Sequence, residues 1–366
     1  MKRAHKIRIY PNNKQQTMLL KHCGCARLAY NVCLSKWNDD YADGIKHNYF
    51  SIKKWFNSVK RERYPFVYEV SKWAMEAAIK DLETGFLSFY RKTANHPRFH
   101  KKGVRDSFRI DGSVIKVDGE TLTLPKGLSL RMAEELRYDA QKIYNVTVSR
   151  RADKWYVSIQ VEIADIPSEN QAGIIGIVGV DLGINRLATL SDGTEYPNIG
   201  VEPKYRKRLR MAQKSLARKD KGSKNWHKAQ IRLARLYERM SNTRSDNTHK
   251  LTTEVAGKYG IVCLEDLNVS GMLANHKLAR SIADVSFYEV RRQFEYKAQG
   301  VWYVSRYAPT SKACSGCGKV HDMPLSKRKM ICDCKLCIDR DLNAAINIVR
   351  WASPDTKPVD KEALAM

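Results

Sequence analysis

The sequence of 366 residues has no uninterrupted apolar run of the length a membrane helix needs, about 20 residues. Residues 1–6 are basic, but no apolar core follows them, so the start does not read as a secretory leader. Nine cysteines are too few for a disulfide scaffold in a chain this long. Acids are also scarce: 39 Asp and Glu face 65 Lys and Arg, a net charge of +26. These absences predict a soluble, cytoplasmic, nucleoid-associated protein without a membrane partner. The excess charge calls for a polyanion, and nucleic acid is the default. An anionic membrane surface is the weaker alternative, since nothing apolar would anchor the chain in it.

The apolar content of 43% is ordinary, and the length suffices for two or three domains. A short strand is expected over residues 7–10, ended by Pro11, with Asn12 or Asn13 capping a helix. Cys23, Cys25 and Cys33 lie on that helix's apolar pattern and read as core. Ser71 should cap a second helix, with Met75, Ile79, Leu82, Phe86 and Phe89 as its buried stripe. The basic loop HPRFHKKG, 96–103, mixes cations with an aromatic, a composition suited to a phosphate backbone with a base stacked nearby, or simply to a solvated loop. From Phe108 a small β-domain is expected, including a hairpin of 143–148 with 155–163 turning at Ala152 and Asp153. A polar break at 168–173 should separate domains. Residues 204–250 are the most basic stretch, read as two helices joined around Gly222 and Ser223 and as a nucleic-acid groove; Ile231, Ala234, Tyr237 and Met240 supply helical spacing.

Three acidic points stand out. Segment 176–193, GIVGVDLGINRLATLSDG, is an apolar strand that meets Asp181, then a second strand and a hairpin turn at Asp192 and Gly193. A carboxylate at the end of a buried strand needs a partner, and metal is the readiest one; the bland alternative is a turn cap. Residues 259–264 form another apolar strand that delivers Glu265 and Asp266. Strand neighbours face opposite ways, so only one of these can join Asp181. Asp339 and Asp341 open a hydrophobic helix, 342–349, fit to pack on a sheet. Acids in such a pattern can converge on two divalent ions for phosphodiester cleavage, and oxygen donors with open positions suit Mg2+ or Mn2+.

Five cysteines crowd into 314–337: Cys314-x2-Cys317, then Cys332-x-Cys334-x2-Cys337. Two thiol pairs across a loop predict a structural Zn2+ site. Cys314 and Cys317 form one pair; Cys332, Cys334 and Cys337 compete for the other.

The three-acid pattern resembles the RNase H-like fold of RuvC nucleases. The chain as a whole resembles the TnpB (OrfB) family of insertion sequences, relatives of type V CRISPR effectors. IRIYPNNKQQTMLL, HPRFHKKG with RDSFR, GVDLGINRLATL, CLEDLNVSGM, FEYKAQG, TSKACSGCG and DRDLNAAINI occur in the family's order and cover nearly the whole chain. The resemblance implies an α/β and α+β multidomain fold. Residues 1–12 and 103–170 would be a barrel-like wedge β-domain and 13–102 a helical recognition domain. Residues 173–310 and 338–351 would be a RuvC nuclease with a zinc finger inserted at 311–337, followed by a disordered tail, 352–366. It implies Asp181, Glu265 and Asp341 as catalytic acids holding Mg2+ or Mn2+, and Cys314, Cys317, Cys332 and Cys334 as zinc ligands. Glycine usually follows the second pair; here Lys335 stands there and Cys337 is additional, which keeps Cys337 open as a ligand. The implied activity is RNA-guided cutting of double-stranded DNA beside a short motif, by a monomer carrying an RNA from the transposon end. A nuclease-dead repressor would lack one of the acids, and all three are present. A strand-joining transposase fits less well, because the resemblance is to the accessory nuclease.

Overall fold

The computed structural model describes residues 2–103, 106–164, 176–324 and 326–353. They form two compact units, one ending at residue 164 and the other starting at 176. The expected break at 168–173 lies outside the described residues, as does the expected tail from 354 onward. No helix among the described residues is long and apolar enough to cross a membrane.

The first unit opens with strand β1, Lys2–Ile9, longer than the sequence pattern suggested. Helix α1, Asn13–Ala42, follows after the short link Tyr10, Pro11 and Asn12. Asn12 starts it with a reciprocal cap: its side chain accepts from the Gln15 N–H at 2.9 Å, and Gln15 Oε1 accepts from the Asn12 N–H at 2.8 Å. Helices α2, Tyr49–Arg63, and α3, Lys72–Tyr90, complete the helical layer. Ser71 sits at the cap of α3, but its hydroxyl makes no capping bond. Its N–H instead donates to Nε2 of buried His22 at 3.1 Å, tying α1 to α3. The α3 stripe is buried through Phe86; Phe89 is 37% exposed and belongs to the surface, contrary to the expectation from spacing.

Strands β2, Ser107–Asp111, β3, Lys116–Asp118, β4, Thr121–Leu124, β5, Leu128–Arg131, β6, Lys142–Arg151, and β7, Lys154–Glu162, make two antiparallel sheets. One runs β1-β7-β6-β2, the other β3-β4-β5. An isolated bridge from Ile9 to Met132 joins them. The β6–β7 hairpin turns where expected, with Ala152 in the left-handed region at φ 52°. Trp155, Val157, Ile159, Val161 and Ile163 share the buried face. Leu19, Cys23 and Ala26 of α1 and Ala74 of α3 join the same core, so helices and sheets are packed as one body.

The second unit holds a sheet of β8, Ile177–Leu182, β9, Arg186–Leu190, and β10, Glu195–Pro197, extended by β11, Ile261–Glu265, and β12, Gly300–Val304. Its order is β10-β9-β8-β11-β12, antiparallel at the β9 end and parallel from β8 through β12. Between the two halves come the basic helices α4, Val201–Ala217, and α5, Lys224–Lys258, divided where the sequence placed the break, with Ser223 capping α5. Met240 is buried, but Tyr237 is 47% exposed and lies off the packed stripe. Helices α6, Val269–Leu273, α7, Ala279–Val285, and α8, Phe287–Lys297, precede β12. A small ribbon of β13, Lys329–Ile331, and β14, Cys337–Asp339, leads into α9, Arg340–Trp351.

Candidate active site

Strands β8 and β11 are parallel, with Leu264 opposite Val180. The next residue of each is an acid, Glu265 and Asp181. Residues in register on neighbouring strands face the same side of a sheet, so the two carboxylates project together. Asp266 is buried and faces elsewhere: Arg306 bonds its carboxylate, with Nε at 3.1 Å, and Arg291 lies 3.6 Å away.

The face that Asp181 and Glu265 share is the one α9 covers. Gly179, two residues before Asp181, shows this directly. A Cβ there would stand 2.0 Å from the Ala345 carbonyl oxygen and 2.9 Å from Val349 Cγ2. Only glycine allows the helix backbone so near the strand. Asp339 caps α9, accepting from the N–H groups of Asp341 at 2.9 Å and Leu342 at 3.3 Å. Asp341 therefore sits in the first turn, over the ends of β8 and β11. Burial first, then the Glu265 and Asp341 carboxylates, push the Asp181 carboxyl up to about 8, with Arg340 opposing. Burial also raises Glu265, against a hydrogen bond from the Thr310 hydroxyl. Arg186, on β9, bridges Glu195 at 3.1 Å, Asp339 at 3.2 Å and Asp341 at 3.7 Å. The ligand oxygens of the three acids do not all lie within 4.8 Å of one another. Hard oxygen donors that repel one another are the donor set a hydrated Mg2+ or Mn2+ fits.

The thiol cluster is tighter. The sulfurs of Cys314, Cys317, Cys332 and Cys334 all lie within 4.8 Å of one another. Among the described residues no other group of three or more His, Cys, Asp or Glu ligand atoms meets that spacing. Cys337 is outside it, exposed and paired with Ile331 in the β13–β14 ribbon. Although burial opposes it, the backbone N–H groups of Cys317 and Gly316 bring the Cys314 thiol down to about 7. Cys332 goes the other way, to about 12: the Cys334 N–H favours its thiolate, but burial and the neighbouring sulfurs outweigh it. Four thiolates this close would repel one another, and a tetrahedral zinc would neutralise that repulsion. His321 Nε2 lies 3.2 Å from Cys332 Sγ.

Lys335 occupies the left-handed region at φ 72°, where the family resemblance leads one to expect glycine. Its N–H closes the turn onto the Cys332 carbonyl at 2.9 Å. A side chain in that region costs about 1–2 kcal/mol, partly offset by the greater unfolded-state freedom of glycine. Lys335→Gly should therefore raise stability by up to about 1 kcal/mol. Thermal unfolding of the full chain reads this, and a lower melting temperature would show that the turn carries no such strain.

Segment 310–315 enters the cluster through contacts that sequence patterns did not reveal. Asn343 and Asn347 of α9 are both 0% exposed. Asn347 Nδ2 donates to the carbonyls of Ala313 at 2.7 Å and Thr310 at 2.8 Å. Asn343 Nδ2 donates to Ala313 O at 2.8 Å, and its Oδ1 accepts from the Ser315 N–H at 2.8 Å. Arg340, 8% exposed, donates to Pro324 O at 2.9 Å and Ser311 Oγ at 3.2 Å. Positions 340, 343 and 347 form a buried stripe at helical spacing, polar where the other buried positions of the helix, Ala344, Ala345 and Ile348, are apolar. That contrast was the available signal; the sequence reading attended to the apolar positions.

In the first unit, the basic loop is pinned rather than free. The His100 ring stacks on Tyr30 at 3.9 Å, and Asn31 exchanges two hydrogen bonds with the His100 backbone. Arg98, Lys101 and Lys102 are exposed, and Phe99 is 55% exposed.

Comparison with known proteins agrees with this architecture. A family model described as "Probable transposase" (OrfB) matches residues 158–276. One described as a helix-turn-helix domain matches 1–46, which here are β1 and the single long helix α1 with its following turn. A third, "Cas12f1-like, TNB domain", matches 287–348. A protein of Streptomyces pristinaespiralis named "Putative RNA-guided DNA endonuclease" is 37% identical over 95% of this chain and 89% of its own length. An Escherichia coli K12 protein of the same description, InsQ, is 32% identical over 94% of this chain and 91% of its own. Among solved structures, a Cas12f1–sgRNA–target DNA complex superposes with a TM-score of 0.57 at 14% identity, covering 95% of this chain and 98% of the other. CasPhi-2 (Cas12j) bound to crRNA gives 0.50 at 9% identity, covering 98% and 99%. These two likenesses concern the fold: a mixed α/β multidomain architecture like that of the Cas12 effectors. With identity of this order to full-length relatives, and the motifs in order along it, the chain belongs to the TnpB (OrfB) family of insertion-sequence proteins.

Proposed function

We propose that this protein is an RNA-guided DNA endonuclease encoded by a transposable element, cutting double-stranded DNA beside a short transposon-adjacent motif. Most weight falls on one juxtaposition: Asp181 and Glu265 end adjacent parallel strands on the face covered by α9, whose first turn carries Asp341. In this reading residues 173–310 and 338–351 are the RuvC-like nuclease, 311–337 its zinc finger, 1–12 with 103–170 the wedge, and 13–102 the recognition helices. The names of the relatives support the activity, and the net charge of +26 supports an RNA and a DNA as partners.

Asp181, Glu265 and Asp341 would hold two Mg2+ or Mn2+ ions, and Cys314, Cys317, Cys332 and Cys334 one Zn2+. Bound divalent ions would activate water and stabilise the leaving oxygen. The chain's own part is to hold three carboxylates on one face, part-buried and mutually repelling, so that a cation is favoured there over a second proton. Thr310 orients Glu265, while Asp339 and Arg186 orient Asp341. All three motif acids are present in the sequence, which favours an active nuclease over a DNA-occupying repressor.

The test is cleavage. The protein is co-expressed with the right-end transcript of its own element and challenged, in Mg2+, with plasmids carrying a matched target beside randomised bases. Selective depletion of certain flanks is the expected result; binding to those flanks without cutting would make it a repressor. Affinity for RNA should also fall linearly on a log–log plot against salt, as lysines and arginines displace counterions. A flat salt profile would remove the polyanion reading.

A further inference from the structure

We propose that Asn343 and Asn347 are positioning residues for the nuclease site, carrying the fold of the four-cysteine segment into the placement of Glu265 and Asp341. This rests on the reading of those acids as divalent-ion ligands. The path is continuous. Asn347 and Asn343 hold the carbonyls of Thr310 and Ala313, and Asn343 also takes the Ser315 N–H. Ser315 adjoins Cys314, and Gly316 is so close that a Cβ there would meet the sulfurs of Cys314 and Cys334, each at 3.6 Å. At the other end of this segment, the Thr310 hydroxyl donates to Glu265. The same helix that carries the asparagines opens with Asp341. Two of the three acids therefore take their positions from a short segment whose shape the thiol cluster and the asparagines define together.

Ordinary packing does not call for this design. A helix face so buried is usually apolar, because polar groups there demand full pairing. Asn347 does not achieve it: Nδ2 serves two carbonyls, and Oδ1 is buried without a partner. The amide is thus held in one orientation by its donors at the expense of its acceptor. What the two asparagines provide is directional: they fix backbone carbonyls at 310 and 313, which an apolar side chain would leave unpaired and free to shift.

The measurement is Mn2+ binding to the full-length, zinc-loaded protein, by calorimetry and by loss of the free-ion electron paramagnetic signal. Zinc content is assayed in parallel. Asn347→Leu removes both donors at similar volume; Thr310→Val removes only the hydroxyl at the Glu265 end and guards against simple misfolding of the first variant. Val290→Ala, in the apolar core of the same unit, is a packing control. The expected result is one zinc per chain throughout. Mn2+ affinity should fall about 10- to 100-fold in Asn347→Leu and Thr310→Val, the range for residues that orient metal ligands, and stay unchanged in Val290→Ala. Unchanged Mn2+ affinity in both site variants would overturn the proposal, as would an equal loss in Val290→Ala. Wild-type protein binding no more Mn2+ than Asp181→Ala would instead overturn the ligand reading itself, and the proposal with it.

Discussion

Asp181→Ala will lower cleavage by about 1000-fold or more, leave guide-RNA and target binding intact, and raise the stability of the metal-free protein. On the proposed reading the loss follows from removing a ligand at a site where bound cations would stabilise the transition state by several kcal/mol, each 1.36 kcal/mol being tenfold in rate. The gain follows from the same carboxylate. Asp181 binds its proton more tightly folded, up to about 8, than an ordinary aspartate does, at about 3.9. A group with a raised folded value weakens the fold as pH climbs from about 4 through about 8. Alanine abolishes that penalty, so the metal-free variant should melt higher than wild type at pH 8 and gain less at pH 5. Mg2+ should close the gap by stabilising wild type alone. Retained cutting would displace Asp181 from the chemistry; an unchanged pH dependence of melting would show that the like-charge cluster is not strained without metal.

Cys334→Ser will strip the protein of zinc and open the segment around it, while Cys337→Ser will do neither. Among the described residues, the buried cluster of this segment is Cys314, Met323, Met330 and Cys332, with Leu336 and Ile338 packed against it. Two of its four buried residues are themselves ligand candidates, so little apolar area holds the segment closed without metal. Structural zinc in such segments is worth about 10–16 kcal/mol in peptides, which is folding free energy. Serine is a poor substitute for a thiolate, so the expected zinc content falls from about one per chain to near none. Proteolysis within 318–328 should accelerate with it. Colorimetric zinc release reads the first effect and limited trypsin digestion the second. Zinc retained in Cys334→Ser but lost in Cys337→Ser would move the fourth ligand to Cys337, the alternative the sequence left open.

Much of the site was legible because its residues announce themselves locally. An acid at the end of an apolar strand is conspicuous, and so are paired cysteines; their chemistry depends on residue type, which sequence displays. The strands β8, β9 and β11, the α4–α5 break at Gly222 and Ser223, and the start of α9 near Asp339 followed from periodicity for the same reason. Exposure was less secure. Phe89 and Tyr237 fit helical spacing yet face outward, since spacing gives the angle on a helix and says nothing of how wide a face its neighbours cover.

By itself, then, the sequence determined which acids and thiols are the site candidates, the net charge of +26 that favours a polyanion, and the family it resembles. Tertiary structure decided how they are combined. Parallel register set Glu265 rather than Asp266 beside Asp181, because one residue of slip reverses the face of a strand. Proximity of the sulfurs groups Cys334, rather than Cys337, with Cys314, Cys317 and Cys332, because the turn at Lys335 separates the two and Cys337 lies on the ribbon. Gly179, Asn343 and Asn347 acquired their meaning only there too. A missing side chain and a buried amide matter through what lies opposite them, and their partners are about 30 to 170 residues away along the chain.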